Sequence, residues 1–221
     1  MGAADSIPSA DLEVRPPKQR RSREAWHRVL DAGVGLLEDG GYDAFTIAAV
    51  CERAAVAPTA IYARTTSKDA LFLAVYEHGI AAMLAEQEVF GDGDRWVGLA
   101  PAELIRSAVS EMVGISLRHQ RFLGSVVLIS AAHEEVARRG SRYAEGLGDG
   151  FTRVVLGVRA AIRHDDPEAA ARACFGTVFA TTIIRVAYGP AFGTSSPVDD
   201  ETFVADLGET AVRYLLADAV G

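Results

Sequence analysis

Residues 46–72, TIAAVCERAAVAPTAIYARTTSKDALF, are punctuated too often to be one ordinary core helix. Thr46 has the chemistry of a helix N-cap, and Ile47, Val50, Cys51 and Ala54 follow it on one helical face. The run stops at Ala54-Ala55-Val56 and restarts at Pro58, whose missing N–H costs nothing at a first helical position. Barely two turns later Ser67 or Thr66 caps another helix, opening at Lys68. Two short helices joined by a tight turn cross steeply. Cys51 supplies the small residue at that crossing, and Val56 and Ile61 the apolar pins. Thr59, Ala60 and Ala63 then leave a slim surface, able to enter a DNA major groove about 12 Å wide. Tyr62 and Arg64 offer donors at its edge, and Lys68 sets a cation beside exposed helix-start N–H groups, a seat for phosphate. The spacing alone equally allows a helical hairpin with no role in DNA binding.

Charge favours the first of these readings. The net charge of −8 is unevenly spread. Residues 15–68 hold nine Arg and Lys against six Asp and Glu, whereas residues 69–221 hold 13 against 21. A basic segment on an acidic body fits a chain that meets phosphate at one end only. The cluster KQRRSR at 18–23 adds Arg20, Arg21 and Arg23, and residues 1–17, with three prolines and no apolar period, read as a disordered arm.

The rest of the chain reads as helix throughout. Trp26, Val29, Leu30, Gly33, Val34 and Leu37 repeat at helical spacing, and Gly40-Gly41 ends that helix. Further helices are predicted over 68–90, 101–119, 121–132, 134–163, 167–189 and 199–219, with breaks at GDGD (91–94) and GPAFGTSSP (189–197). Four glycines in GSRYAEGLGDG (140–150) predict a kink or loop inside one of them. The expected fold class is all-α. The apolar stretch 174–193 contains Arg185, Thr and Gly, and is expected to be a buried helix rather than a membrane span. No signal pattern opens the chain, and Cys51 and Cys174 lie far apart, as suits a reducing cytoplasm.

The segment TIAAVCERAAVAPTAIYARTTSKDALFLAVYE (46–77), preceded by VLDAGVGLLEDGGYDAF, resembles the N-terminal domain of the tetracycline-repressor (TetR) family of bacterial regulators. The resemblance covers roughly residues 20–79 and includes Gly41-Tyr42, Thr46, Ala54, Val56, Tyr62, Lys68 and Leu71. It implies an N-terminal three-helix helix-turn-helix domain over 18–67 and a larger helical ligand and dimerisation domain over 68–221. It also implies a homodimer that reads a palindromic double-stranded DNA operator and is released by a small-molecule effector. Thr46, Pro58, Thr59, Tyr62, Arg64 and Lys68 fall in the DNA-contacting region, with Arg20, Arg21 and Arg23 on phosphates or a neighbouring minor groove. Three residues depart from the pattern. Ala55 stands where glycine is usual, Ala57 where serine or threonine is usual, and Thr65 where phenylalanine is usual.

In the larger domain the resemblance implies a dimer pair in the helices from 167 and 199. Met83, Trp96, Met112, Phe122, Phe151 and Phe179 are the bulky residues expected to line a cavity for an apolar ligand. Arg185 is expected to pair across the dimer or reach water rather than meet an acidic ligand. His133-Glu134-Glu135 and His164-Asp165-Asp166 read as solvated helix ends, because adjacent helical residues point apart and cannot share one metal. No cofactor is expected. The expected function is a cytoplasmic, ligand-responsive repressor with no membrane role; a ligand-independent DNA-binding protein or an activator is the alternative. An enzyme would need a nucleophile–base pair or paired carboxylates, and no spacing suggests one.

Overall fold

A computed structural model describes residues 20–217, and the expected arm at 1–17 lies outside them. The described residues form ten α-helices and no strand. In order these are α1 Arg20–Ala44, α2 Ile47–Ala54, α3 Pro58–Tyr62, α4 Lys68–Gln87, α5 Gly93–Trp96, α6 Pro101–Arg118, α7 Gln120–Ser130, α8 Glu134–Val155, α9 Pro167–Tyr188 and α10 Asp200–Leu216. Short 3-10 turns occupy Glu88–Gly91 and Leu156–Ala161. The chain divides into two compact units between Ala82 and Met83, within α4.

In the first unit α1 buries Trp26, Val29, Leu30 and Leu37, with Val34 half-buried. Gly41 breaks α1 at a φ of +63°, a backbone region that glycine enters without steric cost. Thr46 caps α2 by accepting from the Ala49 amide at 3.1 Å. Leu37, Phe45, Val50, Ile61, Leu71 and Phe72 have no exposed surface and make the core under the short helices.

The second unit is helix on helix, with α10 along α6 and both α7 and α8 against α9. Asp166 caps α9 through the amides of Glu168 and Ala169, and Asp199 caps α10 through the Thr202 amide at 2.8 Å. His164 and Arg163 tie the segment before α9 to the end of α10, bonding the carbonyls of Tyr214 and Leu215.

Four sequence expectations change. The glycines of 140–150 do not interrupt α8, which runs unbroken from 134 to 155. Two of them have a packing role. A Cβ on Gly148 would lie 2.8 Å from the Phe175 ring, and one on Gly150 would lie 3.0 Å from Phe90. Close approach of those rings repays the glycine's lower helix propensity. That helix also ends before 163, giving way to the 3-10 turn. GDGD is not purely a break, since α5 forms across its second half.

The third correction concerns α9. It is long and apolar enough to cross a membrane by length and composition, yet only 28% of its apolar stretch is buried within the chain. The fourth is Arg185, which pairs inside its own chain. Its guanidinium donates to Asp200 at 2.7 Å and to the Val198 carbonyl at 2.9 Å, and lies over the Phe203 ring. Its side chain is 9% exposed, so it fastens the loop before α10 rather than reaching water.

Ala55 is the one non-glycine residue with positive φ among those described, at φ 51° and ψ 52°. A left-handed alanine costs on the order of 1–2 kcal/mol. Ala55→Gly should therefore raise the stability of the first unit by about 1 kcal/mol once glycine's larger chain entropy is subtracted. Urea unfolding followed by Trp26 fluorescence in a Trp96→Phe background checks this; an unchanged midpoint contradicts strain at Ala55.

Candidate nucleic-acid interface

The site is built from two capped helix starts and one turn. The αL turn at Ala55 sends its own amide to Glu52 and the Val56 amide to Cys51, closing the end of α2. Ala57 provides no side-chain cap, so α3 starts on Pro58 alone. Within α3 only Ile61 is buried, while Pro58, Thr59, Ala60 and Tyr62 are exposed, Tyr62 at 58%. Buried Cys51 and Ala54 line the α2 side of the crossing. Thr65, where the resemblance has phenylalanine, is buried and donates its hydroxyl to the Ile61 carbonyl at 3.4 Å, tightening the exit from α3.

Ser67 is the residue that caps α4, accepting from the Ala70 amide at 3.1 Å. Lys68 is half-buried, with its ammonium 3.9 Å from the centre of the Tyr42 ring. Tyr42 in turn donates its phenol to Asp69 at 2.9 Å. Burial first, then the Asp69 hydrogen bond and charge, hold that phenol well above its usual range, so it stays protonated and keeps donating. Lys68 is thus seated on an aromatic face at a helix N-terminus, where a phosphate is favoured.

The remaining candidates divide. Arg20, Arg21 and Arg23 are exposed on the first turn of α1, Arg20 in an i,i+4 pair with Glu24 of the kind that contributes little at a surface. Thr46 is exposed, and its hydroxyl oxygen accepts the cap bond while its proton remains able to donate. Arg64, expected at a groove edge, is turned back on α1. It donates to the Ser22 hydroxyl, and its guanidinium lies 5.9 Å from the Trp26 ring centre. Sequence reasoning missed the partners that hold these groups in place. Tyr42 and Asp69, or Arg64 and Trp26, are too far apart in the chain for any spacing rule to join them.

Residues 29–75 match the sequence model of the bacterial regulatory proteins of the tetR family. The A-factor receptor protein of Streptomyces griseus is 31% identical over 71 residues, which are 32% of this chain and 26% of that protein. The matched part is therefore about a quarter of the curated relative's length. Residues 29–75 thus carry a TetR-family N-terminal domain. Solved structures with the TetR fold extend the likeness to both units. A regulatory protein of the family from Rhodococcus RHA1 superposes with a TM-score of 0.65 at 21% identity, covering 88% of this chain and 98% of its own. A TetR regulator from Haloarcula marismortui gives 0.64 at 14%, covering 88% and 97%. At such identities the likeness is one of fold.

In the second unit the six expected ligand residues are packed away. Met83, Met112, Phe122 and Phe151 are buried, Trp96 donates its indole N–H to the Val89 carbonyl at 3.1 Å, and half-buried Phe179 stacks on Phe175. None of them lines either of two surface clefts, one between α8 and α9 and one beside the loop after α9. Gly176 is exposed with open space before it, so substitution there fills no cavity. Burial pushes the Cys174 thiol up to about 11, which removes the thiolate a redox sensor needs. Among the described residues no group of three His, Cys, Asp or Glu is placed to hold a metal.

Lys68→Ala should weaken specific and non-specific DNA alike and lower the salt slope by about one per copy. Thr59→Ala, exposed on α3, should weaken the selected sequence preferentially. Titrations at several salt concentrations separate the two; an unchanged slope for Lys68→Ala contradicts its phosphate seat.

Proposed function

We propose that this TetR-family transcriptional regulator is a ligand-responsive repressor, acting in the cytoplasm as a homodimer on a palindromic operator. The observation that carries the reading is α3, whose only buried side chain is Ile61 and whose outward face is slim and polar, between capped α2 and Lys68-led α4. On this reading Thr46, Pro58, Thr59, Tyr62 and Lys68 meet DNA, and Arg20, Arg21 and Arg23 meet phosphate. Arg64 acts through Trp26 and Ser22 by fixing α3 on α1.

Residues 18–67 are then the DNA-binding part and 68–221 the part that binds ligand and a second copy. Support for the second copy comes from α9, whose apolar stretch is mostly unburied. Its exposed face carries Gly176, Thr177, Ala180 and Thr181, small residues suited to close helix packing rather than to lipid. A small apolar effector is assigned to Met83, Trp96, Met112, Phe122, Phe151 and Phe179. Because most of these are packed, binding must displace side chains, which gives an effector the differential affinity a switch requires. The name of the Streptomyces griseus relative, a receptor protein, supports effector control. Helix α4 begins at Lys68 and contributes its last residues to the second unit, a covalent route for coupling of about 1–3 kcal/mol.

Selection of bound fragments from random DNA should return an inverted repeat with half-sites about 34–36 Å apart or a multiple of that. Light scattering at low micromolar concentration should give twice the 23.5 kDa chain mass. A single unrepeated site with a monomeric mass would sink the reading.

A further inference from the structure

The exposed ridge of α9 is complementary to itself. Arg172, Gly176, Ala180, Ile184 and Tyr188 stand four residues apart, and all five are exposed. Residues at that spacing form one ridge of a helix surface. Ala180 is its midpoint. A two-fold axis through Ala180 would set Arg172 opposite Tyr188 and Gly176 opposite Ile184, a cation against a ring and a large side chain against a missing one.

Both ends of the ridge continue into shaped surface. Beyond Tyr188, Phe192 stacks on it with ring centres 4.6 Å apart, and the two are 56% and 57% exposed. The loop that bears Phe192 is held at its far end by Arg185, through Val198 and Asp200, so the aromatic pair projects from an anchored segment. Beside Arg172 lies the cleft between α8 and α9, about 560 Å³, lined by Gly148, Asp149, Thr152, Arg172 and Phe175. That is within the size range that receives drug-sized groups. The Arg172 guanidinium is fixed at its rim by Asp149 at 3.0 Å and Glu168 at 3.2 Å.

Area requires more than the ridge. A 22-residue helix is about 33 Å long, so an exposed strip about 10 Å wide supplies a few hundred Å². A stable interface takes about 800 Å² from each partner. We propose that in the dimer the Tyr188–Phe192 projection of each copy seats in the α8–α9 cleft of the other, with the two α9 helices crossing antiparallel at Ala180. The proposal rests on the homodimer reading above and adds its register and its anchor. Exposed aromatics seated in a pocket are the residues that dominate such interfaces. The occupant of the cleft is a second copy of this chain.

The experiment uses the full chain. A dilution series by sedimentation gives the dimer constant of wild type and of Tyr188→Ser/Phe192→Ser, both positions being exposed and outside the core. At least a tenfold weaker dimer with unchanged thermal unfolding of the dissociated chain is expected. Ala180→Cys should oxidise to a covalent dimer on a non-reducing gel, because a residue on the axis meets its own copy, while Ala173→Cys should not. Cys51 and Cys174 are buried and leave the readout clean. A wild type that is monomeric at low micromolar concentration overturns the homodimer reading itself. A wild-type dimer that the double serine variant leaves unchanged, or that Ala180→Cys fails to cross-link, overturns the hook and its register and leaves the homodimer standing.

Discussion

The first unit depends on one clamp, where the end of α1 meets the start of α4. Tyr42, Phe45 and Phe72 form an aromatic trio with ring centres 5.0 to 6.3 Å apart. Tyr42 adds the hydrogen bond to Asp69 and the face on which Lys68 rests. Phe45 and Phe72 have no exposed surface, so the apolar area they remove from water stabilises the junction by a few kcal/mol. Everything between them, α2, the Ala55 turn and α3, is a loop closed by this contact. Helices of eight and five residues are too short to persist alone in water. They hold their form because their ends are fixed and Val50 and Ile61 are buried under them.

The same clamp explains why three departures from the family pattern are tolerated. Left-handed Ala55 carries strain, Ala57 withholds a cap, and Thr65 offers less apolar surface than phenylalanine. Each loss is on the order of 1 kcal/mol. None leaves a buried polar group unmet, since Thr65 returns its hydroxyl to the Ile61 carbonyl and the Ala55 amide closes α2. On the proposed function their effect falls on the outward face of α3 instead. With no hydroxyl at position 57, Thr46 and Ser67 are the remaining capping hydroxyls of this region, and both already accept from backbone amides. The exposed polar side chains of α3 are Thr59 and Tyr62.

The second unit is governed by a different imbalance. Its α6 buries Leu104, Ile105, Val109, Met112 and Val113, whereas α9, no less apolar, has only 28% of its apolar stretch fully buried. Surface of that kind is costly in water unless something covers it. The pairing of Arg185 with Asp200 decides how the exposed end of α9 is shaped, because it fixes the loop on which Phe192 stands. A charge that looked like an intruder in an apolar helix is thereby an internal fastening.

Much of the fold was legible in the sequence because it is written in local chemistry. The helix-only architecture, the cap at Thr46, the last helix starting near residue 199, Pro58 at a first helical position and the break at Gly41 each follow from residues within one or two turns of one another. The exposure of Thr59 and Tyr62 followed likewise, from the apolar pin at Ile61. What local chemistry could not decide is where long side chains go once distant helices meet. Lys68 was legible as a cation at a helix start, but its seat on Tyr42 was not. Arg64 and Arg185 read as outward charges and were captured by Trp26 and Asp200. The glycines of α8 read as breakers and became landing places for Phe175 and Phe90. In each case the deciding contact joins residues separated by many turns of chain, and only tertiary packing sets which of several low-energy directions a flexible side chain or a permissive backbone adopts.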